Sequence, residues 1–359
     1  MINETVPPGP AAPLSPEPLL QMIQGLEVTA ILQAGVQLGV FDQVADGKNR
    51  PSAIATAINA DERGTRILLD ALAALRLLER DTGEYRLSPI SDAFLVAGRP
   101  TYLGGMLNIF APDWAWSSHQ RLAEVVRSGS TLLEQHAETP GHAFWETFAP
   151  SSAAMAVPAA QVIADLLREW SDERESFEIL DVACGSGLVS LTLAAQHPTA
   201  RATLLDWANV LRLVTDNVDR LGLRGRTDFI EGDVFTVPLR GPYDLVVASH
   251  IFHHFSEQRC LALMRRLGEV LKPDGRLVIQ DFVSGLSPED APFPYLFSVR
   301  MLTWIREGEA HSLDTYERLL REAGFSQPEA HAAEGMPSQF LIAGIVSSDS
   351  SRPVEGSAS

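Results

Sequence analysis

Residues Glu178–Gly187 read EILDVACGSG, an apolar run that ends at an acid and passes directly into two glycines separated by one residue. From Phe177 onward four more short apolar runs follow, ATLLDW, DFIEGD, YDLVVASH and GRLVIQDF, with helical periodicity between successive runs. Buried strands alternating with helices predict an α/β domain, a parallel doubly wound sheet with right-handed crossovers. Ligands in such sheets sit beyond the carboxyl ends of the strands, so the chemistry is expected just after each run. SQFLIAGIV, near the end, reads as a final antiparallel strand.

The glycines Gly185 and Gly187 allow a sharp turn and close approach of a ligand to the following helix. Asp206 ends the second run, roughly twenty positions on, where a carboxylate accepts from ribose hydroxyls. Asp233 closes the third run, and together these describe a nucleoside site. Ser190 stands where a dinucleotide fingerprint needs its third glycine. Asp181 would repel a pyrophosphate and favour a cation, so the ligand inferred is a positively charged nucleoside.

Outside this region the chain sets bounds on its function. It has 359 residues, 45% of them hydrophobic, and a net charge of −18, which disfavours nucleic acid as a partner. Cys184 and Cys260 form no disulfide framework and no C-x-x-C pair, which suits a reducing cytoplasm. No run has the length of a membrane span, no signal peptide is evident, and no membrane partner is expected. The ends, 1–16 and 347–359, are Pro-rich or small and polar and are expected to be disordered tails. Residues 17–100 read as helices, a turn and a hairpin around DTG, a mainly helical winged-helix arrangement. With no basic recognition face it is read as a packing or dimerisation module rather than a DNA reader. Residues 101–170 are helical and aromatic-rich, suited to walling a pocket for a flat organic substrate through Trp145, Phe148 and Met155. Residues 171–346 form the expected cofactor-binding catalytic domain.

These motifs resemble the class I S-adenosylmethionine-dependent methyltransferases, and within them the small-molecule O-methyltransferases with an N-terminal winged-helix dimerisation domain, from plant phenylpropanoid enzymes to bacterial enzymes tailoring aromatic natural products. DVACGSG is similar to the family's glycine-rich cofactor loop, LLDWANV to its ribose segment, EGDVF to its adenine segment and LKPDGRLVIQD to its turn and strand. The resemblance implies a Rossmann-like sheet, a homodimer, and S-adenosyl-L-methionine as cofactor with S-adenosyl-L-homocysteine as product. By it, Gly185 and Gly187 line the methionine end, Asp206 binds ribose, and Asp233 and Val234 meet adenine. Trp207, Phe235 and Ser249 complete the expected cofactor set, with Asp181 facing the sulfonium.

SHIFHHFSEQ, Ser249–Gln258, follows the fourth run and holds three histidines within five residues. The resemblance places the general base at His253. A phenol, with pKa near 10, needs its proton removed in the transition state, and imidazole, near 6.5, is a suitable acceptor. Asp281, at the end of the fifth run, is the expected orienting partner. The family's second acid aligns with Ala310, so Glu309 is taken in its place, with Glu307 as the alternative. Ser249 and His250 replace the family's usual residues before the base. His250 and His254 are placed at the pocket edge, and Arg300, Met301 and Trp304 on the substrate side of the next helix. His250, His253, His254 and His311 also raise a metal site, but no further ligand stands at a diagnostic spacing and none is expected. The predicted activity is O-methylation of a phenolic hydroxyl on an aromatic small molecule. Its rivals are carbon or nitrogen methylation, a cofactor-binding member diverted to hydroxylation, decarboxylation or rearrangement, and a winged-helix regulator.

Overall fold

A computed structural model describes residues 14–346, so both expected tails fall almost wholly outside the described residues. The chain divides into two compact units, residues 1–104 and 105–359.

The first unit contains α1 (Glu17–Ile23), α2 (Gly25–Gln37), α3 (Val40–Ala45), α4 (Pro51–Ala57), α5 (Glu62–Ala74), the hairpin β1 (Leu78–Asp81) and β2 (Glu84–Leu87), and α6 (Pro89–Phe94). Asp61 caps α5 by accepting from the Gly64 N–H at 2.8 Å. Thr82 and Gly83, both at positive φ, form the two-residue hairpin turn whose twist matches the strands. Phe41, Ile54, Leu69, Leu72, Leu78 and Tyr85 make its core. Leu19, Leu20, Met22, Ile23 and Leu26, on α1 and the start of α2, are exposed, an unusually apolar surface for a chain alone in water.

The second unit opens with α7 (Met106–Phe110), α8 (Asp113–Gln120), α9 (Leu122–Ser128) and the long α10 (Phe144–Asp172). Then come β3 (Phe177–Val182), α11 (Leu188–Gln196), β4 (Ala200–Asp206), α12 (Ala208–Arg220), β5 (Thr227–Glu231), β6 (Tyr243–Ser249), α13 (Glu257–Gly268) and β7 (Leu271–Asp281). It closes with α14 (Pro292–Trp304), α15 (Leu313–Glu322), β8 (Glu329–Ala332) and β9 (Gln339–Gly344). The sheet order is β5-β4-β3-β6-β7-β9-β8, parallel through β7 and antiparallel at β9 and β8. β8 is an addition to the sequence reading: its EAHA is exposed at the sheet edge and carries no apolar run to announce it.

The chain leaves β3 toward β4 and β5 on one side and returns to β6 and β7 on the other. The switch point therefore lies between β3 and β6, and their carboxyl ends open a crevice there. At the opposite ends of the strands, fully buried Asp244 is bound by Arg174 (2.7 Å) and Lys272 (2.7 Å), which ties the sheet together where no ligand is needed.

Candidate active site

The crevice holds a cavity of about 290 Å³, a size suited to a small molecule. Its β3–β5 end is built on the glycine loop. Gly185 has φ +55°, and a Cβ there would meet nothing within 4 Å, so the backbone faces open space. Gly187 differs: it has φ +69° and a Cβ there would stand 2.7 Å from Val214, so it serves close packing of the loop and does not line the cavity. Asp206 accepts from the Gly185 N–H (2.9 Å) and the Trp207 N–H (2.7 Å), joining two strand ends. Burial pushes its carboxyl up to about 6 against the pull of those N–H donors. Asp233 accepts from the Phe235 N–H at 2.9 Å, and Trp207, Val234, Phe235 and Ser249 also line the cavity.

Asp181 requires a correction. It does not face the cavity but lies fully buried beneath the loop, where Ser190 Oγ donates to it at 2.7 Å. Burial raises its pKa to about 7, which makes it a poor fixed charge for a sulfonium. Ser190 thus has a use of its own: it satisfies the acid that an apolar strand end would otherwise strand.

At the β6–β7 end, His253 sits in a single 3-10 turn, Phe252–His254, between β6 and α13. Its Nδ1 is 2.5 Å from Asp281 Oδ1, and its backbone N–H donates to Oδ2 at 3.1 Å. Tyr316 Oη donates to Oδ2 at 2.9 Å, and the Phe282 N–H to Oδ1 at 2.8 Å. Burial would raise the Asp281 pKa, but the histidine charge and hydrogen bonds outweigh it and hold it well below the usual carboxylate range. An ionised acid at this distance keeps the proton on Nδ1 and leaves Nε2 as the basic nitrogen.

Glu309 also requires a correction. Glu309 and Glu307 are both exposed and neither lines the cavity; Glu307 instead accepts from Ser256 Oγ at 2.8 Å. The residue of that loop that meets His253 is Gly308. A Cβ there would stand 2.1 Å from the His253 carbonyl oxygen, so glycine lets the loop lie directly on the backbone of His253.

His250 adopts φ +54°, uncommon for a side-chain-bearing residue, and its ring lies 4.5 Å from Phe282. Its Nδ1 is 3.8 Å from Asp281 Oδ1 and lacks a hydrogen bond. His254 is buried beside His253 and the Trp145 ring, and burial with that neighbouring histidine holds its pKa well below the ordinary value. Ligating atoms of His250, His253 and Asp281 lie within 4.8 Å of one another. The 2.5 Å between His253 and Asp281 is a hydrogen-bond separation, closer than two ligands sit around one ion, so these atoms form a dyad.

Trp145, Phe148 and Met155 of α10 and Arg300, Met301 and Trp304 of α14 all line the cavity. Sequence reasoning missed five contributors. Glu138 lines the wall and pairs with Arg259 at 2.9 Å; Phe282 and Phe297 pack on the His253 ring; Tyr316 supports Asp281 from a helix that shows no chemistry in its sequence. The last carried a usable signal, since a tyrosine on the apolar face of α15 must find a partner for its hydroxyl.

The sequence model described as an O-methyltransferase domain matches residues 122–326, and that of the O-methyltransferase dimerisation domain matches 20–97. The chain belongs to the O-methyltransferase family. This O-methyltransferase is 29% identical over 352 residues to 3-hydroxy-5-methyl-1-naphthoate 3-O-methyltransferase of Streptomyces sahachiroi, covering 92% of this chain and 95% of that one. A Nostoc punctiforme protein described as an O-methyltransferase superposes with a TM-score of 0.87 at 27% identity, over 92% of this chain and all of that one. Human N-acetylserotonin methyltransferase in complex with S-adenosylmethionine shares the fold, with a TM-score of 0.75 at 22% identity over 94% of this chain and all of that one. The enzyme is an S-adenosylmethionine-dependent methyltransferase. Its strand-end residues suit that cofactor: Gly185 leaves room for it, and Asp206 and Asp233 offer acceptors into the cavity. Among the described residues no single helix is long and apolar enough to cross a membrane.

Proposed function

We propose that this enzyme methylates a phenolic hydroxyl of an aromatic small molecule of the natural-product kind, with His253 as general base. The observation that carries this reading is the His253–Asp281 dyad placed on a cavity walled by aromatic rings. When bound, S-adenosylmethionine supplies an electrophilic methyl group. Asp206, Asp233 and the loop at Gly185 hold its nucleoside and methionine parts, with Trp207, Val234, Phe235 and Ser249 around them. The rings of Trp145, Phe148, Phe297 and Trp304 exclude water and align a flat acceptor. His253 Nε2 takes the hydroxyl proton as the oxygen becomes nucleophilic, and Asp281 stabilises the imidazolium that results. The Streptomyces relative, which by its name methylates a hydroxynaphthoate, agrees with an aromatic acceptor.

Residues 17–100 serve dimerisation in this reading, 101–170 the acceptor pocket and 171–346 cofactor binding. The exposed apolar surface of α1 and α2 supports a homodimer, and the free thiols Cys184 and Cys260 a cytoplasmic setting. The test is incubation with labelled S-adenosylmethionine and a panel of phenols, amines and keto acids, followed by product mass and methyl position. An O-methylated phenol is expected; methyl on nitrogen or carbon, or no transfer to any class, rejects the reading.

A further inference from the structure

Arg300, on α14, lines the acceptor wall of the cavity, and its guanidinium has no ion pair or hydrogen bond among the described residues. The other charged groups on the wall are already engaged. Arg259 pairs with Glu138, and the carboxylates of Asp206 and Asp233 accept from backbone N–H groups. Three rings stand near Arg300: its guanidinium carbon lies 4.2 Å from the Phe110 centroid, 5.8 Å from Phe297 and 5.6 Å from Trp304. Burial alone lowers its pKa, the mark of a cation that has lost water without gaining a counter-charge. Ring faces compensate part of that loss, and a planar anion would complete it through the two-pronged hydrogen bonding that a guanidinium offers.

Two molecules enter this cavity, and position tells them apart. The cofactor groups belong to β3, β4, β5 and the loops after them, with Ser249 at the end of β6. Arg300 instead shares Phe297 with the base: that ring lies 4.8 Å from the His253 ring and 5.8 Å from the guanidinium. A molecule of one or two rings therefore reaches both groups. Resting on the phenol reading above, we propose that the acceptor is an aromatic hydroxy acid whose carboxylate is bound by Arg300 while its hydroxyl meets His253.

Three compounds test this, a hydroxynaphthoic acid, its methyl ester and the parent naphthol. The native enzyme is expected to favour the acid over the ester by about 10- to 100-fold in kcat/KM, the range of a charge-assisted pair. Arg300→Met should collapse that ratio toward one by raising KM for the acid, and Arg300→Lys should keep part of it. Equal use of acid, ester and naphthol by the native enzyme overturns this inference and leaves the phenol reading standing. No transfer to any of the three counts against the phenol reading instead. Binding tests the inference without turnover. Naphthoate, which has no hydroxyl, should bind the S-adenosylhomocysteine complex at least tenfold more weakly after Arg300→Met, while the Kd for S-adenosylhomocysteine stays unchanged. Unaltered naphthoate binding, or an equal loss for S-adenosylhomocysteine, overturns it, the latter by assigning the cation to the cofactor.

Discussion

At the β3–β5 end of the cavity, the acids that line it are held by backbone N–H groups of the loops they sit in, as with Asp206 on Gly185 and Trp207 and Asp233 on Phe235. At the β6–β7 end, a single acid, Asp281, gathers the His253 ring and backbone, Tyr316 from α15 and the Phe282 N–H. The first arrangement tolerates exchange of side chains, because the backbone supplies the donors. The second adds to two backbone donors two side chains from separate elements, His253 and Tyr316, and one of these is the proposed base itself. The proposed cofactor end should therefore lose affinity in modest steps, and the proposed acceptor end should lose rate steeply where the base itself is changed and little where one of several donors to Asp281 is removed.

The largest expected effect is at the proposed base. His253→Ala should lower kcat by about 10²- to 10⁴-fold, the usual contribution of a positioned proton acceptor, with S-adenosylhomocysteine affinity retained in titration calorimetry. Unchanged turnover would remove His253 from the mechanism, and a parallel loss of cofactor binding would show that the two ends are not separable. Next comes Gly308→Ala, which places a methyl group where only 2.1 Å separates it from the His253 carbonyl oxygen. The loop or the base must shift, so kcat should fall by roughly tenfold and stability by about 1–3 kcal/mol, read by activity and urea denaturation together. A variant with native kcat would mean the loop moves away and the base stays.

Asp206→Asn examines the other end. Loss of the charged acceptor should weaken S-adenosylhomocysteine binding by about tenfold, with kcat at saturation nearly native. The pH dependence has a definite sign. Asp206 titrates at about 6 in the folded protein, above its unfolded value, so it binds a proton as pH falls through that value and loses strength as an acceptor. Native affinity should therefore weaken below about pH 6, and the Asn variant should lose that part of the dependence. The raised pKa also means that the folded state holds this proton more tightly, so the contribution of Asp206 to stability is greatest below pH 4 and declines as pH rises toward 6. Cofactor affinity that is flat from pH 5 to 8 in the native protein would break the assignment.

The same contrast explains what could be read from the sequence. The alternation of runs from Phe177 onward and the glycine loop after Asp181 are local patterns, and they foretell the sheet and the place of its crevice. Asp206 and Asp233 follow because strand ends locate themselves. Failures begin where position depends on three dimensions. Asp181 belongs to the glycine motif by spacing, yet its side chain turns under the loop to Ser190. Glu309 has the right chemistry one residue from an aligned position, but the loop presents Gly308 to His253 and leaves both neighbouring acids exposed. β8 and the Glu138–Arg259 pair carry no periodic signal at all.

Tyr316→Phe should have the smallest effect, and it measures how redundant the support of Asp281 is. The substitution keeps the ring that packs against Phe252 and His311 and deletes one of four donors to the carboxylate. His253 Nδ1, the His253 N–H and the Phe282 N–H remain, so the dyad should stay assembled. Loss of one hydrogen bond to a buried charge, offset by relief of a buried hydroxyl, should cost about 1 kcal/mol of stability and lower kcat by severalfold at most. The pH signature separates support from mere packing. The depressed Asp281 pKa contributes stability that is present above the unfolded carboxylate value, about 3.9, and is lost as pH falls through the folded one. Removing a donor raises the folded pKa while the unfolded value is common to both proteins, so the native-minus-variant difference should hold steady from pH 8 down through the ordinary carboxylate range and shrink only as pH falls through the folded values, well below it. An Asp281 pKa unchanged by the substitution, read from the acid limb of the two stability curves, would mean that Tyr316 only fills space, and a hundredfold loss of kcat would mean that the four donors are not redundant.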